Sequence, residues 1–496
     1  MQSEPISSLR QEIVKHIAQF SFGTLIKGIG QFVNQYVAAL LLGPAIFGVW
    51  QGARLLLGYG TNVGLGTIEG MQKEIPVLRG RGNQEKVLTI ARTSFFFNFA
   101  ATLFLSIVIL LSSFFIHAGQ EMILALRFIS VLLVLQFLKM FYETWLKAHK
   151  KFDTLSVVAA IDGIGFLASL TLIFFYSFLG FLLGYVFTML ASTAYAMGKS
   201  EYKFALGLDG KTLRSLMIIG FPIMLIGFSG MGFQTIDRVL ILGFLGAASL
   251  GEYSLGWLLF MPFTFLIYTV NSVMFPHFAE RFGAKGTDGA LLNFIVVPIQ
   301  YVALIMPTLI GAIVIALPEL VPLFLPAYEK GVLAAQIFLF GSFFISTVGM
   351  AGNFFISTNR QNFYLLILAA SFALNFVLSI FFLSLGLGIV GVAWGAALSY
   401  FFFFIAMIVL SLRYCGALRN EIMNRVGKFL FPVLYSILLS ILVMVFIKTD
   451  KNAQGATAAM QTILARESIF FLFSSYLVYL FLKNMKSSLP RFSWKK

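Results

Sequence analysis

The chain has 496 residues, of which 59% are hydrophobic and only 11% charged, against roughly 45–50% and about 25% in ordinary soluble domains. That balance excludes a soluble globular enzyme and points to an all-α polytopic membrane protein. A net charge of +15 would direct a soluble protein toward nucleic acid, but in so apolar a chain the positions of the charges matter more than their sum, and no nucleic-acid partner is expected.

Apolar runs of the roughly 20 residues needed to cross a bilayer recur almost to the C-terminus. In chain order they predict about 14 transmembrane helices, at 13–41, 47–70, 88–115, 121–147, 153–176, 178–198, 213–243, 249–276, 290–317, 329–357, 362–384, 388–413, 428–447 and 467–483. The first runs on to about residue 42 and is expected to be a span and not a cleaved leader. The connections alternate in charge. "MQKEIPVLRGRGNQEKV", "KAHKKFD", "GKSEYKFALGLDGKTLR", "ERFGAKGTDG", "TNRQN", "RYCGALRNEIMNRVGK" and the tail "KNMKSSLPRFSWKK" hold lysine and arginine, whereas "LLGPAIFG", "IHAGQEM", "FYSFLG" and "LGFLGAASLG" hold none. Basic residues beside span ends stay cytoplasmic, so both the N and C termini are expected there. Lys330, Lys448, Lys451 and Arg466 depart from the pattern, the last three around the thirteenth and fourteenth spans.

The outer connections are too short to fold as an extracytoplasmic catalytic domain, and no catalytic residue is assigned. Cys415 is the one cysteine, and His16, His117, His149 and His277 are scattered, so neither a disulfide framework nor a metal site is expected, and no cofactor. "ALGLDGKT" ends like a phosphate-binding loop, but the motif needs glycine where Ala205 stands.

The sequence repeats itself. "LGPAIFGVW" from Leu42 and "LGAASLGEY" from Leu245 share the pattern L-G-x3-[FL]-G-x-[WY], and "LGFLLGY" from Leu179 is echoed by "LGIVGVAW" from Leu387. Two pseudo-symmetric six-helix lobes follow, an N-lobe over 1–200 and a C-lobe over 201–415, with a C-terminal helix pair and basic tail over 416–496. Six is even, so the lobes are like-oriented, and transporters built from such parallel repeats hold substrate between the halves.

Polar residues interrupt the apolar helices in stripes. In the first, Lys27, Gln31, Asn34 and Gln35 follow i, i+4, i+7 and i+8 on one face, extended by Gly23 and Thr24. Gln51, Arg54, Gly58, Thr61, Asn62 and Glu69 do the same in the second, Gly230, Gln234, Asp237 and Arg238 in the seventh, and Trp257, Thr264, Tyr268 and Asn271 in the eighth. A lysine or arginine at the bilayer centre costs roughly 2.5–3.5 kcal/mol, so Lys27, Arg54, Arg127, Lys139 and Arg238 would together cost on the order of 15 kcal/mol if all faced lipid. Some must be paired, hydrated or snorkelling. Lys139 precedes Glu143 by one turn, the spacing of a structural ion pair. Arg127 is placed to reach the outer interface. Asp162, in "AAIDGIG", is a lone mid-membrane carboxylate, open to two readings: a proton or cation site, or an acid bonded to a neighbouring helix. Asp237 is a second candidate for ion coupling, or a partial neutraliser of Arg238. The substrate-binding candidates are Lys27, Gln31, Asn34, Gln51, Arg54, Asn62, Gln234 and Arg238. Trp50, Tyr59, Trp257 and Tyr268 could stack on sugar rings or serve only for packing.

The stretches "LLGPAIFGVWQ", "GLGTIEGMQKEIPVLRGRGNQEKV", "GFPIMLIGFSGMGFQTIDRVLILGFLGAASLGEYSLG", "MFPHFAERFG" and "LGLGIVGVAWGAALS" together resemble the polysaccharide-lipid (Wzx-type) flippases of the multidrug/oligosaccharidyl-lipid/polysaccharide exporter superfamily. The resemblance runs through the first twelve helices. It implies a bacterial inner-membrane protein that moves an undecaprenyl-diphosphate-linked oligosaccharide, such as an O-antigen unit, to the outer leaflet by alternating access. It also implies proton or sodium coupling, and association with a polysaccharide polymerase complex. No invariant catalytic residue comes with it, only a cation-lined cavity, carried onto Lys27, Arg54 and Arg238. The final helix pair also occurs in flippases of lipid-linked peptidoglycan precursors, where it accommodates the lipid tail.

Charge sign separates the alternatives. Exporters of cationic drugs want acids in the cavity, whereas bases outnumber acids here, and a cation suits a diphosphate while amides suit sugar hydroxyls. A drug or metabolite antiporter, a peptidoglycan-precursor flippase, a membrane-embedded glycan enzyme and a non-transporting scaffold remain as competing readings.

Overall fold

A computed structural model describes residues 6–202, 207–285, 292–358, 360–447 and 456–488, and among them there is no strand. With no water in the hydrocarbon to satisfy backbone groups, an apolar chain of this composition closes its hydrogen bonds inside helices. These are α1 (Ile6–Gly60), α2 (Thr67–Gly80), α3 (Gln84–Phe115), α4 (Gln120–Ala148), α5 (Phe152–Ala168), α6 (Leu170–Ser200) and α7 (Gly210–Lys285). They continue as α8 (Leu292–Phe324), α9 (Val332–Thr347), α10 (Gly349–Ser357), α11 (Gln361–Ser384), α12 (Gly388–Tyr414), α13 (Arg419–Phe446) and α14 (Ala456–Ser488). Ten helices among the described residues are long and apolar enough to cross a membrane. The chain is a multi-pass membrane protein.

The repeated Leu-Gly motifs have a backbone meaning. α1 and α7 are each broken at one residue, Gly43 (φ 70°, ψ 171°) and Gly246 (φ 83°, ψ 177°), the glycines of the two motifs. A side chain is strained at positive φ, so glycine permits the reversal, and Pro44 then starts the next helix where its missing N–H is not needed. The predicted break between helices five and six falls at Ser177 (φ 50°), inside α6. The predicted helix over 47–70 is corrected. Helix ends at Gly60, residues 61–66 form a turn with Leu65 and Gly66 at positive φ, and α2 starts anew at Thr67. The glycine-rich stretch "NVGLG" cannot hold a helix through these positions.

The chain divides into two compact units, Met1–Thr235 and Ile236–Lys496. In the first, Phe95, Phe137, Phe141, Tyr142, Trp145 and Tyr202 form an aromatic core joining α3 and α4 to the segment after α6, and Trp145 Nε1 donates to Ser200 O at 3.0 Å. In the second, Ile315, Leu439, Val443 and Phe470 pack α8 against α13 and α14, and the buried pair Arg466–Glu319, 3.0 Å apart, ties α14 to α8. Outward-facing Phe104, Phe115, Phe174 and Phe175 give the first unit a surface suited to lipid.

Candidate functional site

The site begins where α1 meets α5. Gly23, Lys27, Gly30 and Asn34 share one face of α1, and the two glycines remove the side chains that would hold α5 away. A Cβ at Gly30 would lie 2.1 Å from the carbonyl oxygen of Gly163, one at Gly163 2.4 Å from that of Ile26, and one at Gly23 2.2 Å from that of Ser156. Backbone therefore touches backbone. Asp162, next to Gly163, is carried against Lys27, whose Nζ lies 3.0 Å from its Oδ2. Lys139, reaching across from α4, hydrogen-bonds both carboxylate oxygens of Asp162.

Burial ranks the three groups. The Asp162 side chain is 1% exposed, Lys139 7% and Lys27 35%. A buried charge without a partner costs several kcal/mol, and the shared carboxylate relieves both ammonium groups of that penalty. Two ammonium groups share the Asp162 carboxylate, and Lys27 is the partner exposed at the edge of the cluster. Of the two readings of Asp162, the structure matches the acid bonded to neighbouring helices, because α1 and α4 each bring it a lysine. One sequence expectation is corrected here. Lys139 pairs with Asp162 across the bundle and not with Glu143 on its own helix, although Glu143 lies close enough to add attraction.

The amides of the stripe are largely spent on packing. Asn34 is fully buried and its Nδ2 donates to Phe166 O at 3.0 Å and Ser169 Oγ at 2.8 Å. Gln35 Nε2 donates to the Tyr185 hydroxyl at 2.7 Å, and buried Gln51 Nε2 reaches Gln35 Oε1 at 3.4 Å. Gln31, half-buried, lies near the same tyrosine hydroxyl, as do Arg54 and Lys27. Tyr185 on α6 is thus the hub on which Gln31, Gln35, Lys27 and Arg54 converge. Trp50 is buried among Phe181 and Tyr185, with ring centroids 5.1 and 4.7 Å away, so it packs and offers no face to a sugar.

The remaining candidates lie elsewhere. Asn62 is in the 61–66 turn and not on a helical stripe, its Nδ2 near Gly58 O at 3.4 Å. Gln234 is exposed on α7. In the second unit Asp237 is fully buried and accepts from the Arg238 backbone N–H at 2.9 Å and from the Tyr253 hydroxyl at 2.5 Å. Arg238 is buried too, its guanidinium 4.2 Å from the Trp257 ring centroid, an attractive cation–π arrangement. Arg127, exposed on α4, lies over the Phe114 ring at 4.8 Å. The side chains of Thr264, Tyr268 and Asn271, and all of Lys448 and Lys451, lie outside the described residues.

Lys139 and Tyr185 were not among the sequence candidates for binding. For Lys139 the signal lies in the sequence, since two lysines and a carboxylate in an apolar chain invite pairing; Tyr185 is marked there only by the repeat motif that contains it. Among the described residues no three His, Cys, Asp or Glu side chains converge as metal ligands.

Residues 82–328 match the family model described as polysaccharide biosynthesis protein. No curated protein matches the chain in sequence. Among solved structures, the lipid II flippase MurJ in an inward closed conformation superposes with a TM-score of 0.71 at 14% identity, over 93% of this chain and 99% of its own. A multidrug-resistance MATE-family transporter in an inward-facing conformation gives 0.59 at 17% identity, over 83% and 98%. A MOP-superfamily transporter from Pyrococcus furiosus, described as having a binding pocket of reverse polarity, gives 0.56 at 17% identity, over 84% and 96%. At such identities these structures show a shared fold. The family match over residues 82–328 and the shared fold agree with the likeness to the Wzx-type flippases read from the sequence.

Proposed function

We propose that the protein is a flippase that translocates an undecaprenyl-diphosphate-linked oligosaccharide from the cytoplasmic to the outer leaflet of a bacterial inner membrane by alternating access. The observation that carries this reading is the half-buried Lys27, which places an accessible ammonium group within an otherwise apolar bundle. A compact ammonium suits a phosphate, and the nearby Arg54 guanidinium can fork onto phosphate oxygens. Gln31, at the edge of the same face, is the amide best placed to exchange hydrogen bonds with sugar hydroxyls. The last helix pair, which lies beyond the twelve helices of the resemblance, also occurs in flippases of lipid-linked peptidoglycan precursors, where it accommodates the lipid tail. Consistent with that, α13 and α14 form an apolar cavity of about 360 Å³ lined by Tyr435, Leu438, Leu442, Phe446 and Phe473, chemistry that suits a polyprenyl chain. Nothing in this mechanism makes or breaks a covalent bond in the substrate, so the activity is transport.

Complementation tests it. In a strain lacking its own flippase, the wild-type chain should restore surface polysaccharide, whereas Lys27→Ala and Arg54→Ala should fail at normal membrane levels. Full rescue by both variants would overturn the electrostatic reading. Drug resistance without a polysaccharide phenotype would instead establish an antiporter.

A further inference from the structure

We propose that Asp162 is the resident counter-anion of Lys27, exchanged for a phosphate group of the lipid-linked substrate, and that Lys139 is the positioning residue that makes the exchange possible. The inference rests on the flippase reading and deepens it. As the structure stands, Lys27 is not a bare cation waiting for a ligand, because its ammonium already lies 3.0 Å from a carboxylate. A substrate anion has to compete with Asp162 for it. If Lys27 were the sole partner of Asp162, drawing it away would leave an unpaired carboxylate, 1% exposed, in an apolar bundle, and that penalty would oppose binding. Lys139 removes the obstacle. It hydrogen-bonds both oxygens of Asp162 and is itself buried, so the carboxylate stays neutralised when Lys27 leaves. Of the two lysines Lys27 is the uncovered one, on the helix that also carries Gln31, and so it is the one free to change partners.

The same arrangement serves release. When the phosphate departs, Asp162 is in place to take Lys27 back, so neither the loaded nor the empty state strands a charge. A transporter needs that balance, because a headgroup held too tightly would not be delivered. Lys27 is therefore the moving partner, Asp162 the internal substitute for phosphate, and Lys139 the fixed support.

The test is binding of radiolabelled undecaprenyl diphosphate to purified protein in detergent, with thermal midpoints measured in parallel. Lys139→Met leaves Asp162 with Lys27 alone, a neutral pair, and should weaken binding roughly tenfold or more, as follows when the competent state falls below about a tenth of the population. Lys139→Arg should bind like wild type. Lys139→Met/Asp162→Asn removes support and competitor together and should bind at least as tightly as wild type, a recovery that a merely structural role for Lys139 would not give. Wild-type affinity in Lys139→Met, or a double variant as weak as the single, overturns the exchange while leaving the flippase reading intact. If Lys139→Met does not fold, the double variant decides: affinity at or above wild type supports the exchange, and weaker binding overturns it. Absence of binding by the wild-type protein would remove the flippase reading and the exchange with it.

Discussion

The Asp162 carboxylate of the first unit faces two ammonium groups, one of which keeps about a third of its surface uncovered, whereas the Asp237 carboxylate of the second is closed by the Arg238 backbone N–H and the Tyr253 hydroxyl. Arg238 in turn is buried over Trp257. Both clusters place an acid beside a base within apolar helices, yet only in the first do two cations share the acid and one of them stay partly exposed. The difference separates two uses of buried charge. Where every charge is enclosed by its neighbours the cluster fixes a helix, and where one partner is redundant and uncovered the cluster can exchange it for a ligand.

Substitutions can break either side of this contrast. Asp162→Asn should have the largest effect, because it strands buried Lys139; breaking a buried pair costs about 3–5 kcal/mol, visible as a collapse in membrane level or a lower thermal midpoint in detergent. Adding Lys139→Met should restore the midpoint, and an unperturbed Asp162→Asn protein would show that the shared carboxylate contributes nothing. Tyr253→Phe removes a donor from fully buried Asp237 and should cost about 1.5–3 kcal/mol, the range for a hydrogen bond to a charged group. Transport per folded molecule should be retained in that variant; its selective loss would mean that the second cluster also handles substrate. Gly30→Ala sharpens the contrast from the other direction. Its methyl would meet the Gly163 carbonyl at 2.1 Å, forcing α1 from α5 at about 1–3 kcal/mol and drawing Lys27 off Asp162. A wild-type midpoint there would show that the helices are not in backbone contact.

Much of this was legible in the sequence. The membrane class follows from composition, and the glycines of the repeated Leu-Gly motif turned out to be the residues at which α1 and α7 break. Lys27 was legible as a cation in the wrong solvent. What it faces was not, because Asp162 lies far along the chain and no local spacing links the two. Along the stripe, Gly23 and Gly30 interleave with Lys27 and Asn34, and such an alternation marks a seam between helices, so Asn34 is buried with its Nδ2 donating to Phe166 O and Ser169 Oγ and does not line an open surface. Lys139 was assigned to Glu143 because i, i+4 is the one pairing that a single helix reveals, while in the bundle α5 offers a more deeply buried partner. Asn62 was carried on a helical stripe past Gly60, where the clustered glycines had already ended the helix.

Reconstitution in proteoliposomes, with a fluorescent undecaprenyl-diphosphate-linked oligosaccharide whose outward movement is followed by quenching from outside, addresses the role of Lys27 without the complications of a cell. The wild-type protein should move the lipid. Lys27→Ala, at an equal reconstituted amount, should lose roughly tenfold or more of that rate, the loss expected when one charge-assisted contact worth about 1.5–3 kcal/mol is removed. Translocation by Lys27→Ala at the wild-type rate would contradict the assignment of an accessible cation to an anionic lipid carrier.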